Sequence, residues 1–411
     1  MAGFLRQLLQ LWRRQARNWQ IIVTHQVTNR FLVQLADQYT NIFIRMLGAS
    51  PVELGWVRSS SGVAAALVSV PLGIVQDRYS LRRIYLFGIS LLAVVPLIYA
   101  TATRWEYLVP AIFLMGLAQR FGSCSVICDV SLRNRDRATA RAMCEGVGAS
   151  PTLFAPLLGA FLVTLFGGMT LEGIRPLFWI QFVIRIALVT YVFKSMTEVI
   201  RDNGDDLIPE ETGVLSWIGA LVREGRAVPQ CLAFLALSFV GKTLLLTFMY
   251  PFAHEIKGAG ALVIGGITAA MTLSEGLFAA IFGRLADTLG RKRTYYMLAP
   301  LAASGTILMA FSPTSSMLLM AGFLLGFRVI AEVLLSSLPA ELVPTRYIGR
   351  WRGVIGLFMG LVAIPAPILG GYLWERVGPH YVFLAIAALD LFLVLPLVTT
   401  LPETADTGEK G

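Results

Sequence analysis

Five polar residues stand at helical spacing in an otherwise apolar stretch: Arg30, Gln34, Asp37, Asn41 and Arg45, at steps of 4, 3, 4 and 4. Such steps put all five on one face of an α-helix. The chemistry open to that face is proton exchange and the holding of a small polar solute. Asp37 is the acid at its centre. Burial and a nearby cation pull a carboxyl's protonation in opposite directions, so an acid placed between them can switch. Asp37 is therefore the first candidate proton carrier, ahead of Glu275 and Glu332; the competing reading is that it binds a cationic solute directly. Arg120, Lys242 and Arg328 are further charges inside apolar runs, with Arg120 and Arg328 standing 208 residues apart. Glu332 is one helical turn from Arg328, which allows a local ion pair. Arg185 and Asp390 read as structurally paired charges, and Glu145 as a complement to a helix start.

The elements that carry these residues follow from composition. Of 411 residues, 56% are hydrophobic and 14% charged. A soluble domain cannot hide that much apolar surface. A bilayer-crossing helix needs about 20 mostly apolar residues. The sequence predicts twelve: 22–47, 52–75, 84–102, 107–129, 143–166, 176–195, 230–252, 261–283, 294–312, 316–339, 353–375 and 380–401. The alternation of a membrane β-barrel is missing, so the expected fold is an all-α membrane protein. A polar residue inside such a span is costly and is a functional hypothesis by default.

The net charge of +9 is distributed unevenly. One set of loops holds Arg78, Arg82, Arg83, Arg133, Arg135, Arg137, Arg141, Arg284, Arg291, Lys292, Arg293, Arg346, Arg350 and Arg352; the opposite set holds Arg104, Arg175, Lys257 and Arg376. The positive-inside rule puts the first set, and both termini, on the cytoplasmic side of a plasma or inner membrane. Lipid head groups then account for the basic charge, and no nucleic-acid partner is expected. Residues 1–20, with "FLRQLLQLWRRQARNW", read as a cytoplasmic interfacial helix; 196–229 read as a cytoplasmic linker and 402–411 as a tail, leaving bundles at 21–195 and 230–401. Cys124, Cys128, Cys144 and Cys231 read as buried thiols and form no metal site. No phosphate-binding loop, metal cluster or nucleophile–base pair is present, so neither an enzyme nor a cofactor is expected.

The halves repeat one another. Gly73 and Gly283, Asp77 and Asp287, and Arg83 and Arg293 each stand 210 residues apart; so do "GASPVELG" at 48–55 and "GAGALVIG" at 258–265. "APLLGA" at 155–160 meets "APILGG" at 366–371 with an offset of 211. A tandem six-helix unit is the architecture of a transporter with a site between its halves.

The charged stretches "GIVQDRYSLRR" (Gly73–Arg83) and "GRLADTLGRKR" (Gly283–Arg293) resemble the loop signature G-x-x-x-D-R-x-G-R-K/R-R of the major facilitator superfamily. Thr288 replaces the first Arg in the second copy; Ser80 and Leu81 replace Gly and Arg in the first. The resemblance covers nearly the whole chain. It implies twelve helices in two pseudo-symmetric bundles, with helices 1, 4, 7 and 10 lining a central cavity. Gln34, Asp37, Asn41, Arg120, Lys242 and Arg328 are then the expected substrate-binding residues, and Asp37, Glu275 and Glu332 the proton-coupling ones. Gly73, Asp77, Arg78, Arg83, Gly283, Asp287, Arg291 and Arg293 would form conformational latches, the glycines letting a neighbouring helix approach closely and each Asp facing a helix start of the other half. Ala155–Ala160 also partly matches the G-P-x-x-G-G motif of the superfamily's drug/proton antiporters. The implied function is proton-coupled export of small amphipathic compounds by a monomeric secondary transporter. Transport of an organic anion or anionic lipid is the alternative, and a non-transporting sensor of the same fold is a third.

Overall fold

A computed structural model of the chain describes residues 17–78, 80–121, 152–198, 228–336 and 348–401, and their side chains except at 70–78, 228, 336 and 348–354. Each predicted span coincides with a helix there. These are α1 (Arg17–Met46), α2 (Pro51–Arg78), α3 (Leu81–Thr101), α4 (Leu108–Phe121), α5 (Ala155–Leu165), α6 (Leu171–Ser195), α7 (Val228–Glu255), α8 (Ala261–Leu289), α9 (Arg291–Phe311) and α10 (Ser315–Ser336). The next, α11, runs as Ile348–Ala363 and Pro365–Arg376, broken at Ile364; α12 runs from Pro379 to Thr400 through a π-helical turn at Asp390–Val394. No strand occurs among the described residues. Residues 17–20, expected in a separate interfacial helix, form the first turn of α1. The rest of that segment, most of the linker, the tail, Cys124, Cys128, Cys144, Glu145 and the basic residues 133–141 and 346 lie outside the described residues.

Among the described residues eight helices, α3 and α6 to α12, are long and apolar enough to cross a membrane. Missing from that set is α1, because Gln, Asp, Asn and Arg side chains interrupt its apolar residues. Its end shows local chemistry at work. Gly48 takes φ +94°, which an L side chain resists, and so turns the chain out of α1. Two residues later Ser50 and Glu53 form a reciprocal capping box: the Glu53 N–H donates to Ser50 Oγ (3.2 Å), and the Ser50 N–H donates to Glu53 Oε2 (2.6 Å). In the repeated charged stretch the two copies turn differently, with Gly290 at φ +92° and Ser80 at φ −55°, which explains why Ser is accommodated in the first copy.

Packing obeys the repeat. In the first half α2 packs on α4, α3 on α4 and α6, and α1 on α5 and α6; in the second α8 packs on α10, α9 on α10 and α12, and α7 on α11 and α12. Across the halves α2 meets α11, α5 meets α8 and α1 meets α7. At the end opposite the basic loops, one apolar core crosses both halves and includes Tyr39, Phe43, Phe248 and Phe252. Toward the basic end there are separate clusters, one around Trp19, Ile22 and Tyr85, another around Phe234, Tyr295 and Val398. One apolar core is therefore shared by both halves at the far end, whereas the clusters described toward the basic end each lie within one half.

Helices α2 and α11 approach through glycine. A Cβ on Gly55 would lie 2.5 Å from the Pro367 carbonyl oxygen, and one on Gly360 would lie 2.9 Å from the Ala66 nitrogen. Gly276 of α8 has nothing within 4 Å of such a Cβ. Thermal unfolding of purified variants should separate the two: Gly55→Ala is expected to destabilise the folded protein by about 1–3 kcal/mol through overpacking, whereas Gly276→Ala should be neutral or stabilise by up to about 1 kcal/mol.

Candidate functional site

One strip of α1 is left uncovered by the rest of the protein. Arg30, Val33 and Asp37 are exposed and Gln34 is half-buried, while Leu32, Leu35, Ala36, Gln38 and Tyr39 between them are buried. Beyond Asp37 the strip closes at Asn41, which is 2% exposed. The predicted stripe thus divides: its lower members line accessible space, and its upper members build the far-end seal.

That seal is polar as well as apolar. The Asn41 amide donates to the Leu246 and Thr247 carbonyls of α7, at 2.9 and 3.0 Å. Pro251 of α7 has no N–H, so the carbonyl four residues earlier, Thr247, lacks its helical partner. Asn41 supplies one from the other half. One turn further out Arg45 makes a two-pronged ion pair with Glu255, both contacts at 2.8 Å. The Tyr39 hydroxyl donates to the Ala261 carbonyl at 3.1 Å, again across the halves.

Arg58, in α2, was not singled out by its sequence context. Its Nε donates to Asn41 Oδ1 and its Nη2 to Thr40 Oγ1 at 2.7 Å. It also stands close enough to Asp37 for their charges to interact. Its partners lie on a neighbouring helix, so no periodicity in the sequence announces it.

The second half carries a chain of four alternating charges. Lys242 Nζ lies 2.7 Å from Glu332 Oε2; Glu332 Oε1 lies 3.4 Å from Arg328 Nε; Arg328 then engages both carboxylate oxygens of Asp390. The local Arg328–Glu332 pair was legible from spacing. The Lys242 and Asp390 contacts join separate helices and were not. The π-helical turn begins at Asp390 itself. Arg328 is 7% and Asp390 8% exposed, so this pair is internal, while the Lys242 side chain is 44% exposed. Gly241 makes room, since a Cβ there would lie 2.5 Å from Arg328 Nη2. Glu275, on α8, is half-buried and interacts electrostatically with Lys242.

Arg120 reaches out of α4 to the Gly356 carbonyl of α11, 3.5 Å away. The three cations expected to converge, Arg120, Lys242 and Arg328, are therefore each engaged with protein groups. Arg185 is buried and donates to the Leu92 carbonyl at 2.7 Å. Leu92 is the residue whose carbonyl Pro96 deprives of a helical partner. No carboxylate is recorded beside Arg185 among the described residues, so the expected ionic pairing of Arg185 gives way to this main-chain bond.

The latch residues are only partly within view. The side chains of Gly73, Asp77 and Arg78 lie outside the described residues. Arg83, Asp287 and Arg293 are exposed and Arg291 is half-buried. At Gly283 nothing among the described residues lies within 4 Å of a Cβ placed there, and the start of the fifth helix, the neighbour expected for this stretch, lies outside the described residues. The repeated stretch does perform one mirrored task. Arg82 donates to the Phe193 carbonyl at 3.0 Å in the last turn of α6, and Lys292, 210 residues later, donates to the Thr399 carbonyl at 3.2 Å in the last turn of α12. Cations there satisfy terminal carbonyls and complement the helix dipole.

The family model described as Major Facilitator Superfamily matches residues 28–266 and 231–411. The class B tetracycline resistance protein of Escherichia coli is 28% identical over 146 residues, which is 36% of this chain and 36% of that protein. The probable actinorhodin transporter of Streptomyces coelicolor is 29% identical over 160 residues, 37% of this chain and 27% of that one. An uncharacterized MFS-type transporter of Mycobacterium tuberculosis is 30% identical over 126 residues, covering 30% of this chain and 18% of the relative. Each match thus spans well under half of the relative's length. The crystal structure of the nucleoside transporter NupG aligns over 93% of this chain and 99% of its own with a TM-score of 0.73; at 16% identity this is a likeness of fold alone.

Removing one partner from the buried Arg328–Asp390 pair leaves an uncompensated charge. Asp390→Asn should therefore cost about 3–5 kcal/mol, and the double variant Arg328→Met/Asp390→Leu should recover most of that loss. A double-mutant cycle on unfolding in detergent measures the coupling.

Proposed function

The chain belongs to the major facilitator superfamily of multi-pass membrane transporters, and we propose that it exports small amphipathic compounds by alternating access, driven by protons entering through Asp37. The observation that carries this reading is the placement of Asp37: an exposed acid inside a helical bundle, at the top of an accessible strip and directly beneath the seal between the halves. An acid there meets the solution on one side only, and a rocking of the halves would expose it to the other. Likeness to a tetracycline resistance protein and a probable actinorhodin transporter supports export.

The positive-inside pattern supports an orientation with the basic loops and both termini in the cytoplasm of a cell membrane. In that orientation the sealed end faces outward, and the accessible strip of α1 lies on its inward side. The bundles 21–195 and 230–401 act as monomeric rocking units joined by the 196–229 linker, in contact with lipid. Asp77 and Asp287, with Arg78, Arg83, Arg291 and Arg293, hold the cytoplasmic side in the alternate state. Arg120 on the Gly356 carbonyl adds a contact between the halves toward that side.

Gln34, Asp37 and Lys242 are the polar groups with accessible surface from which substrate contacts are drawn, with Glu275 beside Lys242. The anion alternative draws less support, because Arg328 is already engaged by two carboxylates and Lys242 by one. Glu332 is held between two cations, which leaves Asp37 the better proton carrier.

Purified protein in liposomes with an imposed pH gradient tests the proposal, using a panel of cationic dyes and organic anions. Wild type should accumulate a cationic or neutral amphipathic dye against its gradient. Asp37→Asn should lose gradient-driven accumulation by at least tenfold, as loss of an essential proton carrier requires, while retaining substrate–substrate exchange. Loss of binding as well would assign Asp37 to a cationic substrate. Normal proton-driven transport by Asp37→Asn would move the carrier role to Glu275, and absence of flux under any gradient would favour the sensor reading.

A further inference from the structure

Three hydrogen bonds fix the Asn41 amide. Its oxygen accepts from Arg58 Nε, and its nitrogen donates to the Leu246 and Thr247 carbonyls of the other half. The amide cannot rotate by half a turn while Arg58 stays. Rotation would set its NH2 against a guanidinium that has only donors, and its oxygen against two carbonyls. Arg58 thus holds Asn41 in the one orientation that clasps α7.

Arg58 is itself held from α1. Thr40 Oγ1 accepts from its Nη2 at 2.7 Å, and that hydroxyl in turn donates to the Asp37 carbonyl at 2.7 Å. A guanidinium keeps its charge at every physiological pH, so a half-buried one depends on a nearby anion. Asp37 lies one turn before Asn41 on the same face of α1, its main-chain carbonyl is bonded to the Thr40 hydroxyl that holds Arg58, and its carboxylate acts on Arg58 through space, without a direct ion pair. The titratable groups acting on Asp37 are Arg58 from α2, Tyr99 from α3 and Tyr250 from α7. Of these only Arg58 is charged at neutral pH and only Arg58 touches Asn41.

We propose that Arg58 is a positioning residue that transmits the charge state of Asp37 to the Asn41 clasp between the two halves. This rests on the reading of Asp37 as the proton site. With Asp37 ionised, Arg58 is retained and Asn41 holds both α7 carbonyls. When the Asp37 carboxylate gains a proton from solution, Arg58 loses its counter-charge and withdraws toward water. The amide is then free to rotate, and the far-end seal loses two of its cross-half hydrogen bonds. A cationic group of a substrate lying on Asp37 neutralises it in the same way. One relay therefore lets either a proton or a cation, but not an empty site, release the seal, which is the condition an exchanger must meet. Arg58 needs no contact with substrate for this.

The test uses the full chain in nanodiscs with spin labels at Thr103 and Ser315, both exposed at the far end and one in each half. Distance distributions are recorded from pH 8 to pH 5. In the otherwise unaltered protein the long-distance, far-end-open population should rise several-fold as pH falls. Asp37→Asn should show a high open population at every pH. Arg58→Gln should lose the pH dependence although Asp37 is intact, and Arg58→Lys should keep part of it. Asn41→Ala removes the clasp without touching the charges and should also abolish the dependence, which decides the matter if Arg58→Gln does not fold. A wild-type pH shift in Arg58→Gln, or in Asn41→Ala, overturns the relay and leaves the Asp37 reading standing. A wild-type shift in Asp37→Asn overturns both.

Discussion

Inside a bilayer no water stands ready to accept or donate a hydrogen bond, so each charge and each orphaned carbonyl must be answered by the chain itself. Much of this architecture can be read as a set of such answers. Pro96 and Pro251 each strip a carbonyl of its partner, and Arg185 and Asn41 supply the replacements. Arg328 would be intolerable alone and is surrounded by Asp390 and Glu332. In α12 the backbone departs from regular helix at Asp390, the residue on which that pairing depends. Single-turn π-bulges of this kind are found frequently at functional sites. The prolines that weaken helices therefore also create the acceptors that fasten helices together.

The tandem repeat governs packing but not charge. Helix contacts in one half have counterparts in the other, and even the cations that cap α6 and α12 are related by the same offset. Departures from symmetry gather among the ionisable groups. The α1 stripe centred on Asp37 has no equivalent in α7, which offers Lys242 instead. An arginine on α6 takes a carbonyl, while an aspartate on α12 takes an arginine. The shared frame is thus symmetric and the ionisable lining is not. The seal at the far end lies where the two patterns meet, with α1 residues of one half bonded to α7 backbone of the other.

Twelve spans, two halves and the polar face of α1 were all legible in the sequence, because each is a pattern along one segment. Apolar length marks a span, offset marks duplication, and a step of three or four marks a helical face. The contacts that organise the site join different segments and leave no such trace. Arg58 is a single charge near one end of a predicted span, and its meaning rests on Asn41 and Thr40 from α1. Lys242 and Glu332 are separated by 90 residues. Asp390 was read as paired, but its partner could not be chosen without the fold. Gly283 carries a packing expectation from its motif, and its expected neighbour, the start of the fifth helix, lies outside the described residues.

The low apolarity of α1 bears on how the molecule is made. A charged side chain at the centre of a helix adds about 2.5–3.5 kcal/mol to the cost of partitioning from the translocon into lipid. Helix α1 carries Arg30, Asp37 and Arg45 among its 30 residues and is absent from the set of strongly apolar spans. During synthesis it leaves the ribosome before every helix that can relieve it. Arg58 emerges with the following helix, but Glu255 and the α7 carbonyls come some 200 residues later. Stable insertion of α1 is then expected to be cooperative with later spans, because the groups that answer its polar face follow it in the chain.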